Sequence, residues 1–189
     1  MAKKVNVTLP RLSDLHIEIK SHGDWQRVIY GVSNLSRDIE NGYHKSVEVF
    51  SSQLLRIVRR SMASGTPPPN SGVTWEPLSP DTIKRWGDHP IYYLTGLYYR
   101  SIGLFRYKSR TLVGLPIGHK RSSKGNLTMN QLSKILEFGT EDERIPARPL
   151  WAPSLKSVGG TRKLKKMILA NIRSNLGKSF GIKPNQVRW

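Results

Sequence analysis

Ile145-Pro-Ala-Arg-Pro-Leu-Trp151, entered from Leu136-Glu-Phe-Gly139, is the stretch on which the fold turns. The prolines flanking Ala147 and Arg148 fix φ at about −65°, restrict the residue before each of them and remove backbone donors. The segment can therefore be neither a helix nor a central strand, and must run extended, as a strut over something already folded. Ahead of it, Thr128-Met-Asn-Gln-Leu-Ser-Lys-Ile-Leu-Glu-Phe-Gly139 reads as a helix from a Thr cap to a Gly stop, with Leu132, Ile135, Leu136 and Phe138 as its apolar side. Behind it, Pro153 is expected to open a last helix, interrupted at Gly159-Gly160. Leu164, Met167, Ile168, Ile172 and Leu176 would form that helix's buried stripe, with Lys163, Lys166 and Arg173 on its wet side.

Further out, Phe105 to Leu115 carries aromatic and β-branched residues around Lys108-Ser-Arg110, the outline of a hairpin. Leu94, Leu97, Tyr98 and Ser101-Ile102 repeat at helical spacing, and Leu78-Ser-Pro-Asp-Thr-Ile-Lys-Arg-Trp86 offers Ser79 as N-cap and Pro80 at the first helical position. Before a proline-rich run, Ser64-Gly-Thr-Pro-Pro-Pro-Asn-Ser-Gly72, apolar residues from Trp25 to Ile57 recur at steps of three and four, the signature of one long helix with Asp24 as its cap. Gly31 and Gly42 cost that helix about 1 kcal/mol each against Ala, and mark points where it is expected to bend or break. Val5, Val7, Leu9, Leu15, Ile17 and Ile19 alternate as in short strands or an extended arm.

The expected class is α+β: a long N-terminal helix, a small antiparallel hairpin with short helices, and a basic C-terminal helix. Its expected parts are an arm over residues 1–24, the long helix over 25–63, a proline-rich linker over 64–74, an α+β core over 75–152 and a basic helix with its tail over 153–189.

Charge narrows the choice of partners. The 189 residues carry 31 Lys and Arg against 13 Asp and Glu, a formal charge of +18. From Arg144 to Trp189 there are eleven Lys and Arg and no acid, so +11 of the total sits in the last quarter of the chain. A second basic block, Gly118-His-Lys-Arg-Ser-Ser-Lys-Gly-Asn126, reads as a loop. Such a chain repels copies of itself unless it meets phosphate or another anionic surface, and nucleic acid is the leading candidate. A lysine run on a helix is commonly a solvated face; the complete absence of acids favours the sharper reading. Lys120, Arg121 and Lys124 of the loop, with Arg162, Lys163, Lys165, Lys166 and Arg173 of the last helix, are the expected contacts to DNA or to an acidic partner. No base-reading module is present, so contact would be independent of sequence.

Catalysis finds little support. The chain has no cysteine, its five histidines show no metal-ligand spacing, and its carboxylates form no evident metal-binding set. The phosphate-binding pattern Gly-x-x-x-x-Gly-Lys-Ser/Thr is absent. The expectation is no enzyme, no cofactor and no metal. The N-terminus lacks the apolar run of a signal peptide and no segment nears about 18 consecutive apolar residues, so a soluble protein without membrane contact is expected.

Five pieces now stand in one order: Trp75-Glu-Pro-Leu78 with Thr82, Leu94-Thr-Gly-Leu97 with Ser101-Ile102, Val113-Gly114, Glu137-Phe-Gly-Thr140, and Ile145-Pro-Ala-Arg-Pro-Leu150. Together, over residues 75 to 152, they resemble the virion morphogenesis and tail-completion family of tailed bacteriophages. Leu150-Trp151 stands where that family has Phe. The resemblance implies a structural virion protein of the neck or head–tail junction, a tail-completion or connector adaptor made in the host cytoplasm. It implies a homo-oligomeric ring, six- or twelve-fold, around the channel that genomic DNA crosses, touching adjacent head-completion, connector and tail proteins. Trp75, Leu78, Leu94, Leu97, Phe138, Ile145, Arg148 and Trp151 are the expected core or oligomer-interface anchors, with Arg148 in an ion pair to Glu137, Glu141 or an acid of a neighbouring subunit. The alternative is a free, sequence-nonspecific nucleic-acid-binding protein with no place in a particle.

Overall fold

A computed structural model of the chain describes residues 25–92, 96–107, 110–116, 128–142, 144–181 and 183. The N-terminal arm, Asp24, Leu94 and the basic loop with Lys120, Arg121 and Lys124 lie outside those residues. The described elements are helix α1 (Trp25–Ser64), α2 (Pro80–Trp86), α3 (Leu97–Ser101), strands β1 (Gly103–Tyr107) and β2 (Arg110–Gly114), and helices α4 (Met129–Phe138), α5 (Trp151–Ser157) and α6 (Gly160–Phe180). The class is α+β, as the sequence pattern requires.

Helix α1 runs for 40 residues without interruption, about 60 Å at the α-helical rise. The chain packs into two compact units that divide this helix: one takes the residues up to Val49 together with those from Thr161 onward, the other takes Phe50–Gly160.

In the first unit, the N-terminal part of α1 lies against α6. Here the two glycines have a different role from the one expected of them. A Cβ on Gly42 would stand 2.8 Å from Ile172 Cγ1 and 2.9 Å from the Ile172 backbone nitrogen, and one on Gly31 would stand 2.3 Å from the Phe180 ring. The glycines do not break α1; they let α6 approach closely, and tertiary packing offsets their poor helix propensity. Leu164, Ile168, Ile172 and Leu176 are buried as the periodicity predicts, while Met167 is half-buried. Polar groups in the seam are paired: Ser46 Oγ donates to Gly42 O at 2.6 Å and accepts from Asn171 Nδ2 at 2.8 Å, Asn175 Nδ2 donates to Asp38 O at 3.0 Å, and Ser179 Oγ donates to the Asp38 carboxylate.

In the second unit, the C-terminal part of α1 supplies Val58 and Met62 to a core completed by Tyr92, Tyr98, Ile102, Leu115, Met129 and Leu150. Tyr92 stacks on Tyr98 with ring centres 5.7 Å apart and meets Trp75 at 5.2 Å. The hairpin expected around Lys108-Ser-Arg110 pairs β1 and β2 antiparallel from Gly103 opposite Gly114 to Tyr107 opposite Arg110. Arg59 reaches across from α1 to donate to Ile102 O at 2.9 Å.

Several local signals hold in detail. Ser79 caps α2 by accepting from Thr82 N at 3.2 Å, with Pro80 at its start. Thr128 and Gln131 form a reciprocal capping box on α4. The proline run at residues 64–74 departs from its expected role as a linker. Ser71 is buried, Ser71 N closes a turn on Pro68 O at 3.3 Å, and Lys156 Nζ donates to Ser71 O at 3.2 Å. Such bonding makes it a packed loop of the second unit. Helix α5 begins at Trp151, two residues before the proline expected to open it, and the break between α5 and α6 falls at Gly159.

Candidate functional site

The strut, Trp75-Glu-Pro77 and Glu137 converge on one junction in the second unit. Arg148 is 5% exposed, and its guanidinium is spent on backbone carbonyls: Nε donates to Glu76 O at 3.0 Å and Nη2 to Pro77 O at 3.0 Å. Within the chain these carbonyls stand in place of the expected pairing with Glu137 or Glu141. A planar fork with five donors suits two carbonyls presented side by side, and the flanking prolines fix the direction in which the side chain leaves the backbone. Burial draws the guanidinium below its ordinary pKa, while the nearby Tyr92 and Glu76 act in the opposite direction. The other side of the strut is bonded too, Tyr92 Oη donating to Arg148 O and Trp75 Nε1 to Pro149 O at 3.0 Å.

Glu137, one of the acids expected to pair with Arg148, does something else. Its carboxylate accepts from Leu150 N at 2.8 Å and from Trp151 N at 3.2 Å. These are first-turn donors of α5, whose N-cap residue Leu150 makes no side-chain cap, so a carboxylate thirteen positions upstream satisfies orphan N–H groups and meets the positive end of the helix. Burial nonetheless raises the Glu137 pKa, the N–H bonds from Leu150, Trp151 and Ala152 opposing that rise. Beside it, Tyr98 Oη donates to Ser133 Oγ at 2.8 Å, and burial pushes the Tyr98 hydroxyl up to about 12.

The turn from α4 into the strut explains the aromatic-glycine pair. Arg148 N donates to Leu136 O at 2.8 Å and Thr140 N to Ile145 O at 3.0 Å, and a Cβ on Gly139, at φ 75°, would stand 2.8 Å from Ile145 O. Only glycine fits there.

Of the expected anchors, Arg148 is buried, and Trp75, Leu78 and Trp151 are half-buried. Phe138 is 62% exposed rather than on the buried side of α4. It lies two positions past Leu136, about 200° further round the helix, and so faces away from Leu136, at the end of the helix where the chain turns into the strut. Leu97 and Ile145 are also exposed, each at 37%. Sequence reasoning missed Tyr92, Ser133 and the Glu76 and Pro77 carbonyls, because bonds over some 35 to 75 positions leave no local periodicity. An acceptor for the uncapped first turn of α5 was the one signal available.

In the first unit, Arg162, Lys163, Lys165 and Lys166 are all exposed on the first two turns of α6, and α6 contains no acidic residue. Arg173, about two turns further on, is half-buried, so four of the five expected α6 cations lie open to solvent. Among the described residues no group of His, Asp and Glu is placed to hold a metal ion, and no helix is long and apolar enough to cross a membrane.

The junction is therefore a clamp whose polar groups are mostly directed at backbone, and the start of α6 is a cluster of exposed cations. Comparison with protein-family models, with curated proteins and with solved structures returned no match to this chain.

Proposed function

We propose that this chain is a non-enzymatic structural protein of a tailed-phage particle, acting at the head–tail junction as a tail-completion or connector adaptor. Several copies would form a ring around the DNA channel. One observation carries the reading: three of the five pieces on which the family resemblance rests, Trp75-Glu-Pro-Leu78, Glu137-Phe-Gly-Thr140 and the strut, are bonded directly to one another. Trp75-Glu-Pro-Leu78 receives Arg148 and donates to Pro149, and Glu137 of the aromatic-glycine piece caps Leu150 and Trp151. A chance scatter of family-like residues would have no reason to close into one clamp.

The open cations of α6 supply the second function, a sequence-independent contact to DNA phosphates or to an acidic neighbour. Gel filtration with light scattering and negative-stain imaging of the purified chain test the proposal. Rings or discrete oligomers are expected; a monomer that binds DNA with strong salt dependence, and is absent from particles, would instead favour a free nucleic-acid-binding protein.

A further inference from the structure

The surface of the second unit carries two patches that complement each other, and we propose that copies of this chain join by docking α2 of one onto the 138–145 turn of another. The inference rests on the oligomeric reading above and deepens it by naming the contact.

Copies of a chain with formal charge +18 repel one another, so a face that accepts a second copy has to use its scarce acids. The only run of consecutive acidic residues in the sequence is Glu141-Asp-Glu143. Glu141 and Asp142 are exposed at the apex of the turn that Thr140 N and Ile145 O close at 3.0 Å. Arg144 contacts Asp142 at 3.1 Å, leaving the run net acidic. Phe138 and Ile145, at the two feet of the same turn, are 62% and 37% exposed. The turn thus presents acid between two large apolar side chains.

Helix α2 presents the converse. It has no buried residue, and a seven-residue helix is too short to persist in water on propensity alone. Its Ile83 and Trp86, three positions apart and therefore on one side, are exposed at 39% and 61%. Lys84 and Arg85, both exposed, flank that side, Lys84 about 100° round the helix from Ile83 and Arg85 about 100° round from Trp86, with Asp81 at the opposite end of the helix. Tryptophan and arginine are the side chains that most often dominate binding at protein interfaces. An apolar pair flanked by two cations meets an acidic turn with an apolar residue at each foot, so apolar contact supplies burial and the opposite charges supply direction.

The test uses charge reversal in the full-length chain. Lys84→Glu with Arg85→Glu in one variant, and Glu141→Lys with Asp142→Lys in another, each place like charges across the contact. All four side chains are exposed, so circular dichroism should match wild type. Each variant alone should need at least about tenfold more protein to assemble, read by sedimentation velocity. Mixing the two should restore assembly, because every α2 then meets a turn of opposite sign. Wild-type-like assembly of both single variants, or failure of the mixture to recover, would overturn the contact while leaving the ring itself standing. A wild-type chain that stays monomeric at every concentration would overturn both.

Discussion

Gly42→Ala separates packing from helix propensity, because the two predict opposite signs. In an exposed helix the substitution stabilises by about 1 kcal/mol. Here the new methyl would lie 2.8 Å from Ile172 Cγ1, 2.9 Å from Ile172 N and 3.0 Å from Ile172 Cα, against an ordinary contact distance of 3.4–4 Å. Two of the three opposing atoms are backbone and cannot rotate away. Within the first unit α6 must retreat from α1 by about 0.5 Å, a gap that forfeits a quarter or more of the dispersion attraction along the seam. Overpacking of this kind costs about 1–3 kcal/mol. Set against the propensity gain, and with looser packing around buried Ile168, Ile172 and Leu176, the net destabilisation is about 1–2 kcal/mol. Thermal unfolding followed by far-ultraviolet circular dichroism should show a midpoint lower by about 2–8 °C. Ile172→Ala should not rescue it, since the obstructing N and Cα remain. A Gly42→Ala protein as stable as wild type, or more so, would refute the close approach of α1 and α6.

Arg148→Lys should destabilise by about 1.5–3 kcal/mol in urea, because an ammonium cannot serve the Glu76 and Pro77 carbonyls as a fork; an unchanged midpoint would remove the clamp from the account. Glu137 has a pKa raised by burial, so the folded state binds a proton more readily than the unfolded state, and stability falls as pH rises from about 4.5 through the folded pKa. Glu137→Gln lacks this dependence and should gain on wild type across that window, whereas a loss would mean that the N–H bonds from α5 outweigh burial. Replacing Arg162, Lys163, Lys165 and Lys166 together by Gln should flatten the plot of log affinity for duplex DNA against log salt by up to about 3.6 in slope. Parallel plots for the two proteins would show that this face does not touch phosphate.

The helices and hairpin are legible in the sequence because each is written in local chemistry. Ser79-Pro80, the Thr128 and Gln131 pair, the Gly159-Gly160 break and the stripe from Leu164 to Leu176 depend on residues a few positions apart. Gly31 and Gly42 mislead for a physical reason: propensity measures a glycine against water, and these face Phe180 and Ile172, well over a hundred positions away. The strut is legible as extended backbone, but its partners are not. Arg148 suggests a carboxylate by charge, yet the buried fork is satisfied by two carbonyls that any sequence could supply. Glu137 is legible as a residue bonded to the strut region, but not by which donor, since helix N–H groups carry no side-chain label. The α6 cations are visible as a run without acids, and their exposure follows from the buried stripe opposite them, with Arg173 the exception.

The place of this chain in an intact phage particle decides between a head–tail ring and every other role. Electron cryomicroscopy of virions, with the protein identified by its density or by an attached label, should place several copies in a ring at the head–tail junction with Lys163, Lys165 and Lys166 turned toward the DNA. Mature particles that lack the protein, or hold it as single copies away from the channel, would contradict the account.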